Sequence, residues 1–194
     1  MTIGMGIIDL GANKVYVAAD TLITYGSELK RHAGSKFLET PHPCLIVGAG
    51  SIRLSQIFNV LIREQPELLQ FKSELDVVAI ADAFYEKISS AGVGEAENND
   101  TPNHEFEILI VNNQSKKIYV IEGDYSVEEF TNYACIGSGF IQGQAALQTL
   151  INVGIHGKEA INQAMKTVLR LHPSCGGEVE VRELILMGPK NGAA

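Results

Sequence analysis

Apolar and polar positions alternate in short runs over the first fifty residues, and this period of two predicts β-strands joined by tight turns. The runs Thr2–Ile8 and Lys14–Asp20 are separated by Asp9–Asn13, a cluster of turn-forming residues. A hairpin centred in this cluster places Asp20 opposite Thr2. The sequence therefore predicts that the start of the first strand and the end of the second lie side by side.

A second pair of short runs, Ser35–Thr40 and Pro43–Gly48, flanks a Pro-His-Pro turn centred on His42. This hairpin sets Lys36 opposite Gly48. If the two hairpins lie edge to edge in one sheet, their matching ends gather four residues at one end of that sheet: Thr2, Asp20, Lys36 and Gly48.

Beyond residue 50 the apolar positions also recur with the 3.6-residue period of amphipathic helices. The pattern predicts four helices, over Ile52–Arg63, Leu75–Ala91, Ile141–Asn152 and Lys158–Leu171. It predicts four further strands, over Phe106–Val111, Lys117–Ile121, Tyr133–Ile136 and Glu178–Met187. Ser51 is the expected N-cap of the first helix. This order of strands and helix pairs predicts an α+β fold with mostly antiparallel pairing, in one domain over residues 1–194.

Thr2 is the first candidate for chemistry, because removal of Met1 leaves a hydroxyl and a free α-amine on one residue. A threonine hydroxyl is a weak nucleophile that needs an adjacent base. An α-amine with a pKa of about 7.7–8.0 is partly unprotonated near neutral pH and supplies that base. Small second residues also serve merely to permit removal of the initiator methionine, so Thr2 by itself is a weak indication.

The three residues expected beside Thr2 make the indication stronger. The Lys36 ammonium favours the ionised form of a nearby hydroxyl, and Asp20 is expected to pair with Lys36 and hold it in place. Gly48 offers a backbone N–H to an oxyanion, which is worth on the order of 3–4 kcal/mol of barrier. Each residue has an ordinary structural explanation when taken singly, but their convergence favours a nucleophile site.

Composition limits the partners. The chain carries a net charge of −8, which argues against nucleic acid as the main partner. It has no apolar run long enough to span a bilayer and no signal peptide, so we expect a cytoplasmic protein without a membrane partner. Its three cysteines are expected to be reduced thiols: Cys44, Cys135 and Cys175.

The sequence offers two other candidate chemistries. Cys175, three residues after His172, is the candidate for a cysteine nucleophile, although no pattern places a base and an oxyanion hole around it. The acids of the polar segment Gly92–His104 could bind a metal, but a solvated loop explains them better. No cofactor and no metal are expected, and the absence of a phosphate-binding Gly-Lys-Ser/Thr loop means that any ATPase is a separate chain.

The motifs taken together resemble a known family. The spacing of Thr2, Asp20 in Ala-Ala-Asp, Gly26, Lys36 and Gly48 in Val-Gly-Ala-Gly is similar to that of the proteasome β-type N-terminal nucleophile (Ntn) hydrolases, and most of all to the bacterial peptidase HslV. Ile136-Gly137-Ser138-Gly139, followed by a helix of small residues, resembles the second signature of that family. The resemblance extends from Thr2 to about Leu186.

The resemblance implies a four-layer αββα sandwich with two antiparallel sheets. It also implies a threonine endopeptidase acting on polypeptide substrates within a homo-oligomer of stacked rings, with a separate ATP-dependent unfoldase as a potential partner. By the family pattern Thr2 is nucleophile and base, Asp20 and Lys36 tune it, and Gly48 binds the oxyanion. The remaining family positions are Ser138 and Gly139, which support the Thr2 amine, and the side-chain specificity pocket, Ile23, Gly34, Ile46 and Gly50.

One position departs from the family pattern. The family has an aspartate a few residues before a late Ser-Gly-Gly-like turn, whereas this chain has His172 or, in another alignment, Ser174 before Cys175-Gly176-Gly177. This departure keeps a catalytically weak or inactive ring or scaffold subunit open as an alternative. A third hypothesis is an Ntn amidase or amide-transfer enzyme that acts on a small molecule.

Overall fold

Strands and pairs of helices follow one another in the predicted order in the computed structural model, which describes residues 2–25, 29–32, 34–93 and 104–187. The strands are β1 (Gly4–Asp9), β2 (Lys14–Asp20), β3 (Leu22–Tyr25), β4 (Leu29–His32), β5 (Cys44–Gly50), β6 (Phe106–Asn112), β7 (Ile118–Ile121), β8 (Val127–Phe130), β9 (Tyr133–Ile136) and β10 (Val179–Ile185). The helices are α1 (Ile52–Glu64), α2 (Glu74–Ser90), α3 (Phe140–Asn152) and α4 (Gly157–Leu171), with a short 3-10 helix at Pro66–Gln70.

Two antiparallel four-stranded sheets form the centre of the fold. Sheet I has the order β10-β2-β1-β9, and sheet II has the order β5-β6-β7-β8. Helices α3 and α4 cover the outer face of sheet I, and α1 and α2 cover that of sheet II. The predicted αββα sandwich is therefore confirmed.

Alternation along the strands produces the layers, because successive side chains point to opposite faces of a sheet. In β2, Val15, Val17 and Ala19 pack between the two sheets. Tyr16 and Ala18 pack against α3 and α4. Both faces of the strand are buried, which is why its sequence is apolar at nearly every position.

The register of the first hairpin differs from the prediction by one residue. Gly4 pairs with Ala19, and the Asp20 N–H donates to the carbonyl of Ile3, not of Thr2. The cause lies in the turn, where the Asp9 carboxylate accepts a hydrogen bond from the Ala12 N–H and the last strand pair is Asp9 with Lys14. Four residues therefore form the loop, and the centre of the hairpin lies half a residue beyond Gly11.

The predicted edge-to-edge arrangement of the two hairpins is wrong. Strand β1 is flanked on both sides, by β2 and β9, so it has no free edge for β5, which pairs with β6 in the other sheet. The register of the second hairpin is confirmed, because Phe37 bridges Val47 and Leu38 donates to the Ile46 carbonyl. Only this single bridge forms, however, and Ser35–Thr40 is not a regular strand.

The remaining elements agree with the sequence except in local detail. All four predicted helices form with ends within one residue of those expected. Ser51 occupies the N-cap position of α1, but its side chain makes no capping hydrogen bond. Strands β3, β4 and β8 were not predicted, and β8 is the outer strand of sheet II with Glu128 and Glu129 exposed. Because β8 is short and polar, it shows little of the apolar alternation from which strands are inferred. Strands β3 and β4 pair with each other in a separate two-stranded sheet.

Candidate active site

A cavity of about 1310 Å3 opens where the start of β1, the end of β5 and the loop after β9 meet. Its wall includes Thr2, Lys36, Gly48 and Ser138, which come from four separate segments of the chain. Stacking of the two sheets, not pairing within one sheet, brings these residues together. Only 6% of Thr2 is exposed, so its approach is through this cavity.

Asp20 lies beneath the cavity and is fully buried. Its Oδ1 accepts hydrogen bonds from the Ile3 N–H at 3.1 Å and from Lys36 Nζ at 2.5 Å. Its Oδ2 accepts one from the Gly176 N–H at 2.9 Å. A buried carboxylate with three donors is well satisfied, and it ties together the start of β1, the Lys36 segment and the late turn.

Lys36 extends from Asp20 to the cavity wall, with 9% of its side chain exposed. Burial lowers its pKa, and the neighbouring Asp20 charge opposes this effect without cancelling it. A poorly hydrated cation of this kind stabilises a developing oxyanion on a nearby hydroxyl more strongly than a surface lysine does. The pair therefore offers a positive charge in a fixed position on the wall that Thr2 shares.

Gly48 and Gly50 belong to β5 and line the cavity, as do Ser51 and Ile52 at the start of α1. A Cβ added to Gly48 would point at Ser55 Oγ, 2.8 Å away, so this Cβ direction faces α1. The positive end of the α1 dipole lies on the same wall, and the first turn of the helix has no acidic residue to offset it. These features suit the binding of a developing negative charge.

The loop Gly137-Ser138-Gly139 packs directly on Thr2. Gly137 has φ +86°, and a Cβ at this position would lie 2.2 Å from the Thr2 carbonyl oxygen, so glycine is required. The Ser138 hydroxyl donates to the same carbonyl oxygen at 3.4 Å. Gly139 is the N-cap of α3 and packs closely against Val168.

The late turn holds a buried thiol where the family pattern has a hydroxyl. Cys175 Sγ lies 3.9 Å from Ser138 Oγ and 3.5 Å from His172 Nδ1, and the Ser174 N–H donates to the same nitrogen at 3.3 Å. Burial raises the pKa of the Cys175 thiol to about 11, so it remains protonated at neutral pH. A thiol of this kind is a poor nucleophile, which disfavours the cysteine hypothesis.

The expected specificity pocket is only partly assembled around the cavity. Ile23, Gly34 and Gly50 line it. Ile46 is fully buried in the core between sheet II and its helices and does not line the cavity, because its position in β5 points to the helix side. Gly26, part of the sequence motif, lies outside the described residues.

Three acidic residues on the cavity wall were not predicted from the sequence: Glu105, Glu107 and Glu122. Glu107 in β6 and Glu122 just after β7 continue the antiparallel register, so they are directly opposite each other. Burial, followed by the Glu107 charge, raises the pKa of Glu122 to about 7. The sequence does contain a signal for Glu107, because this residue interrupts the apolar pattern of β6. The next residues on the same face of the strand, Leu109 and Val111, are buried between the sheets.

No three His, Cys, Asp or Glu residues of the described ranges are grouped as a metal site would require. The acids of the Gly92–His104 segment lie outside those ranges. None of the described helices is long and apolar enough to cross a membrane.

Comparisons with known proteins agree with the fold. The family model described as "Proteasome subunit" matches residues 10–183. No curated protein sequence matches the chain.

Solved structures reproduce the fold over nearly the whole chain. BPH from Thiobacillus denitrificans is 17% identical with a TM-score of 0.81, and the alignment covers 97% of this chain and 100% of that one. The same protein in complex with epoxomicin is 18% identical with a TM-score of 0.80, and the alignment covers 95% of this chain and 100% of that one. Eukaryotic HslV from Trypanosoma brucei is 19% identical with a TM-score of 0.70, and the alignment covers 95% of this chain and 99% of that one.

Proposed function

The chain belongs to the proteasome subunit family, and from this premise we propose that it is an N-terminal threonine endopeptidase. The observation that carries the proposal is the shared wall of one cavity, where Thr2 lies together with Gly48, Ser138 and the buried Lys36 cation that Asp20 fixes. These are the groups that a threonine nucleophile requires, and they converge from four segments of the chain.

The reaction begins after removal of Met1. The Thr2 hydroxyl attacks the peptide carbonyl while the Thr2 α-amine accepts its proton, and the Lys36 charge favours the ionised oxygen. The Gly48 N–H and the positive end of α1 stabilise the oxyanion of the tetrahedral intermediate. The amine then returns the proton to the leaving nitrogen, and water hydrolyses the resulting Thr2 ester.

Substrate side chains enter the same cavity. Ile23 provides an apolar wall, and Gly34 leaves open space, since a Cβ added there meets nothing within 4 Å. This combination favours cleavage after hydrophobic residues. In keeping with the family, we propose that the chain acts as one domain in a cytoplasmic homo-oligomer of stacked rings that encloses the site, and that a separate unfoldase delivers polypeptides to it.

A second candidate is a ring subunit with little or no catalytic activity. The observation that favours it is that the late acid of the family pattern is replaced by His172 or, in the other alignment, by Ser174. The neighbouring Cys175 contacts both His172 and Ser138. None of these side chains supplies the negative charge with which a carboxylate stabilises an ammonium. In this case the rings assemble, but Thr2 does not react with electrophiles.

Intact mass measurement before and after treatment with epoxomicin, which a relative of this chain binds, separates the two candidates. The endopeptidase predicts loss of Met1 and one adduct per chain in the wild type and in Thr2→Ser, but none in Thr2→Ala. Thr149→Ala, on the exposed side of α3, serves as a control that leaves the adduct intact. A ring-sized particle without an adduct rejects the peptidase in favour of the inactive subunit, and an unlabelled monomer or dimer favours the small-molecule amidase.

A further inference from the structure

Glu107 occupies an unusual position for a charged residue. It lies in β6 directly opposite Ala49 of β5. Its neighbours Phe106 and Ile108 point into the core beneath the helices of sheet II, so the Glu107 side chain faces the space between the two sheets. At this end of the sheets that space is the cavity that Thr2 lines.

The Glu107 carboxylate crosses from sheet II to sheet I. Its Oε2 accepts a hydrogen bond from the N–H of Gly137, immediately after β9. Gly137 in turn rests on the Thr2 carbonyl, with no room for even one methyl group between them. Glu107 therefore reaches Thr2 through a single intervening residue, and it does so from the sheet opposite to the one that carries Thr2.

The two sides of Gly137 are held by different sheets. On the side of sheet II, a Cβ added to Gly137 would lie 3.3 Å from Ala49 Cβ. Ala49 lines the cavity beside Gly48, the proposed oxyanion donor. The position of Gly137 thus couples the nucleophile on one sheet to the oxyanion site on the other. A displacement of about 1 Å between reacting groups costs about a hundredfold in rate, so whatever fixes Gly137 affects catalysis.

We propose that Glu107 is a positioning residue for Thr2, which it holds in the attacking position through its hydrogen bond to the Gly137 N–H. The inference rests on the proposed function, because it assigns a role in the reaction of Thr2. An ionised acceptor makes a stronger bond to a backbone N–H than a neutral one does.

The cost of this arrangement supports a functional role. Glu107 faces Glu122 directly across β6 and β7, and like charges in this arrangement destabilise a sheet. An apolar residue at position 107 would avoid the repulsion and match Leu109 and Val111 on the same face. The Glu107 carboxylate therefore lowers the stability of the sheet, and what it provides in return is the hydrogen bond to Gly137.

Two variants separate the hydrogen bond from the charge. Glu107→Gln removes the charge but keeps an acceptor oxygen at the same reach, whereas Glu107→Asp keeps the charge but withdraws it by one methylene. The control is Glu128→Asp, the same change at an exposed position in β8 of the same sheet. Acylation of Thr2 by epoxomicin is followed at several inhibitor concentrations, and exchange of the Gly137 amide is measured by hydrogen–deuterium exchange mass spectrometry.

We expect Glu107→Asp to lower the limiting acylation rate by roughly 10- to 100-fold and to leave the half-saturating concentration within about threefold of wild type. Glu107→Gln is expected to retain the rate within about fivefold, because a neutral acceptor keeps most of the geometry. The Gly137 amide is expected to exchange faster in Glu107→Asp, and Glu128→Asp is expected to match wild type in both measurements.

Two results obtained with Glu107→Asp overturn the inference: an unchanged exchange rate of the Gly137 amide, and acylation of Thr2 at the wild-type rate. Failure of the proposed function has a different signature, which is a wild-type chain that forms no adduct while its Gly137 amide still depends on residue 107. If the control Glu128→Asp lowers the acylation rate as much as Glu107→Asp does, the effect belongs to the sheet as a whole and a role for Glu107 is rejected.

Discussion

The ammonium of Lys36 lies 2.5 Å from Oδ1 of Asp20, and the Asp20 side chain is completely buried. The same carboxylate accepts backbone hydrogen bonds from Ile3 and Gly176. The ion pair thus joins three segments that are far apart in the sequence. Because one partner lies on the cavity wall, the pair affects both the stability of the fold and the chemistry at Thr2.

Removal of the Lys36 charge is expected to be costly. Lys36→Met leaves the buried Asp20 carboxylate without its cation, and breaking a buried pair in this way costs roughly 3–5 kcal/mol of unfolding free energy. Urea denaturation of Lys36→Met and wild type measures this loss. Lys14→Met, which breaks the surface pair with Glu183, is the control and is expected to change the midpoint little. Equal midpoints for Lys36→Met and wild type would contradict the prediction.

Two glycines on the cavity wall are expected to respond differently to alanine. Gly137→Ala places a methyl group 2.2 Å from the Thr2 carbonyl oxygen at a positive φ, so we expect loss of at least about 2 kcal/mol of stability and about a hundredfold in Thr2 acylation. In Gly48→Ala the new methyl group meets only the Ser55 side chain, whose hydroxyl we expect to rotate away, and the backbone N–H is retained.

Gly48→Ala is therefore expected to lose about 1 kcal/mol or less and to keep acylation within about tenfold. Thermal melts and epoxomicin labelling of both variants test the difference. If Gly48→Ala proves as damaging as Gly137→Ala, the role assigned to the Gly48 backbone in this geometry is wrong.

Glu122 predicts a pH dependence of stability. Its pKa in the fold is about 7, above its ordinary value of 4.5, because of burial and then the Glu107 charge. The folded chain therefore retains a proton between these values that the unfolded chain releases, so this residue makes stability fall as pH rises from 4.5 to 7. Glu122→Gln removes the effect and is expected to gain about 1–2 kcal/mol over wild type at pH 7.5, once solvent screening is allowed for.

Melting temperatures of wild type and Glu122→Gln between pH 4.5 and 7.5 test this sign. The advantage of the variant is expected to be small at pH 4.5 and to grow as the pH rises. Glu86→Gln, at an exposed position in α2, controls for the general loss of negative charge. An advantage that is constant or shrinks with pH is the contrary outcome.

Cys175 is expected to be unreactive in the folded chain. Burial raises the pKa of its thiol from an ordinary value of 9.0 to about 11, which reduces the thiolate fraction roughly a hundredfold. Iodoacetamide at pH 8, followed by peptide mass spectrometry, is expected to modify Cys175 about a hundredfold faster in urea than in the native state. Rapid native modification, with Thr2→Ala still hydrolysing peptides, would revive the cysteine nucleophile.

The sequence was sufficient to predict the helices, most of the strands and the family, because these depend on local periodicity and on motif spacing. Helix α1 begins at Ile52 as expected, and β9 spans Tyr133–Ile136 as expected. The Asp20–Lys36 pair was also predicted, although on the assumption that the two hairpins lie edge to edge in one sheet. The pair forms because stacking of the two sheets brings the same ends of the hairpins together.

Only the tertiary structure decided how those elements meet. The stacking of β5 over β1, instead of edge pairing, follows from the occupation of both edges of β1 by β2 and β9, which no local pattern encodes. The same stacking allows Glu107 to accept a hydrogen bond from Gly137 of the opposite sheet. Ile46 lies on the other face of sheet II, in the core beneath the helices and away from the cavity. Periodicity predicts which face of a strand is apolar, but contacts between the sheets, such as that of Glu107 with Gly137 30 positions later, join residues far apart in the sequence and are set by packing.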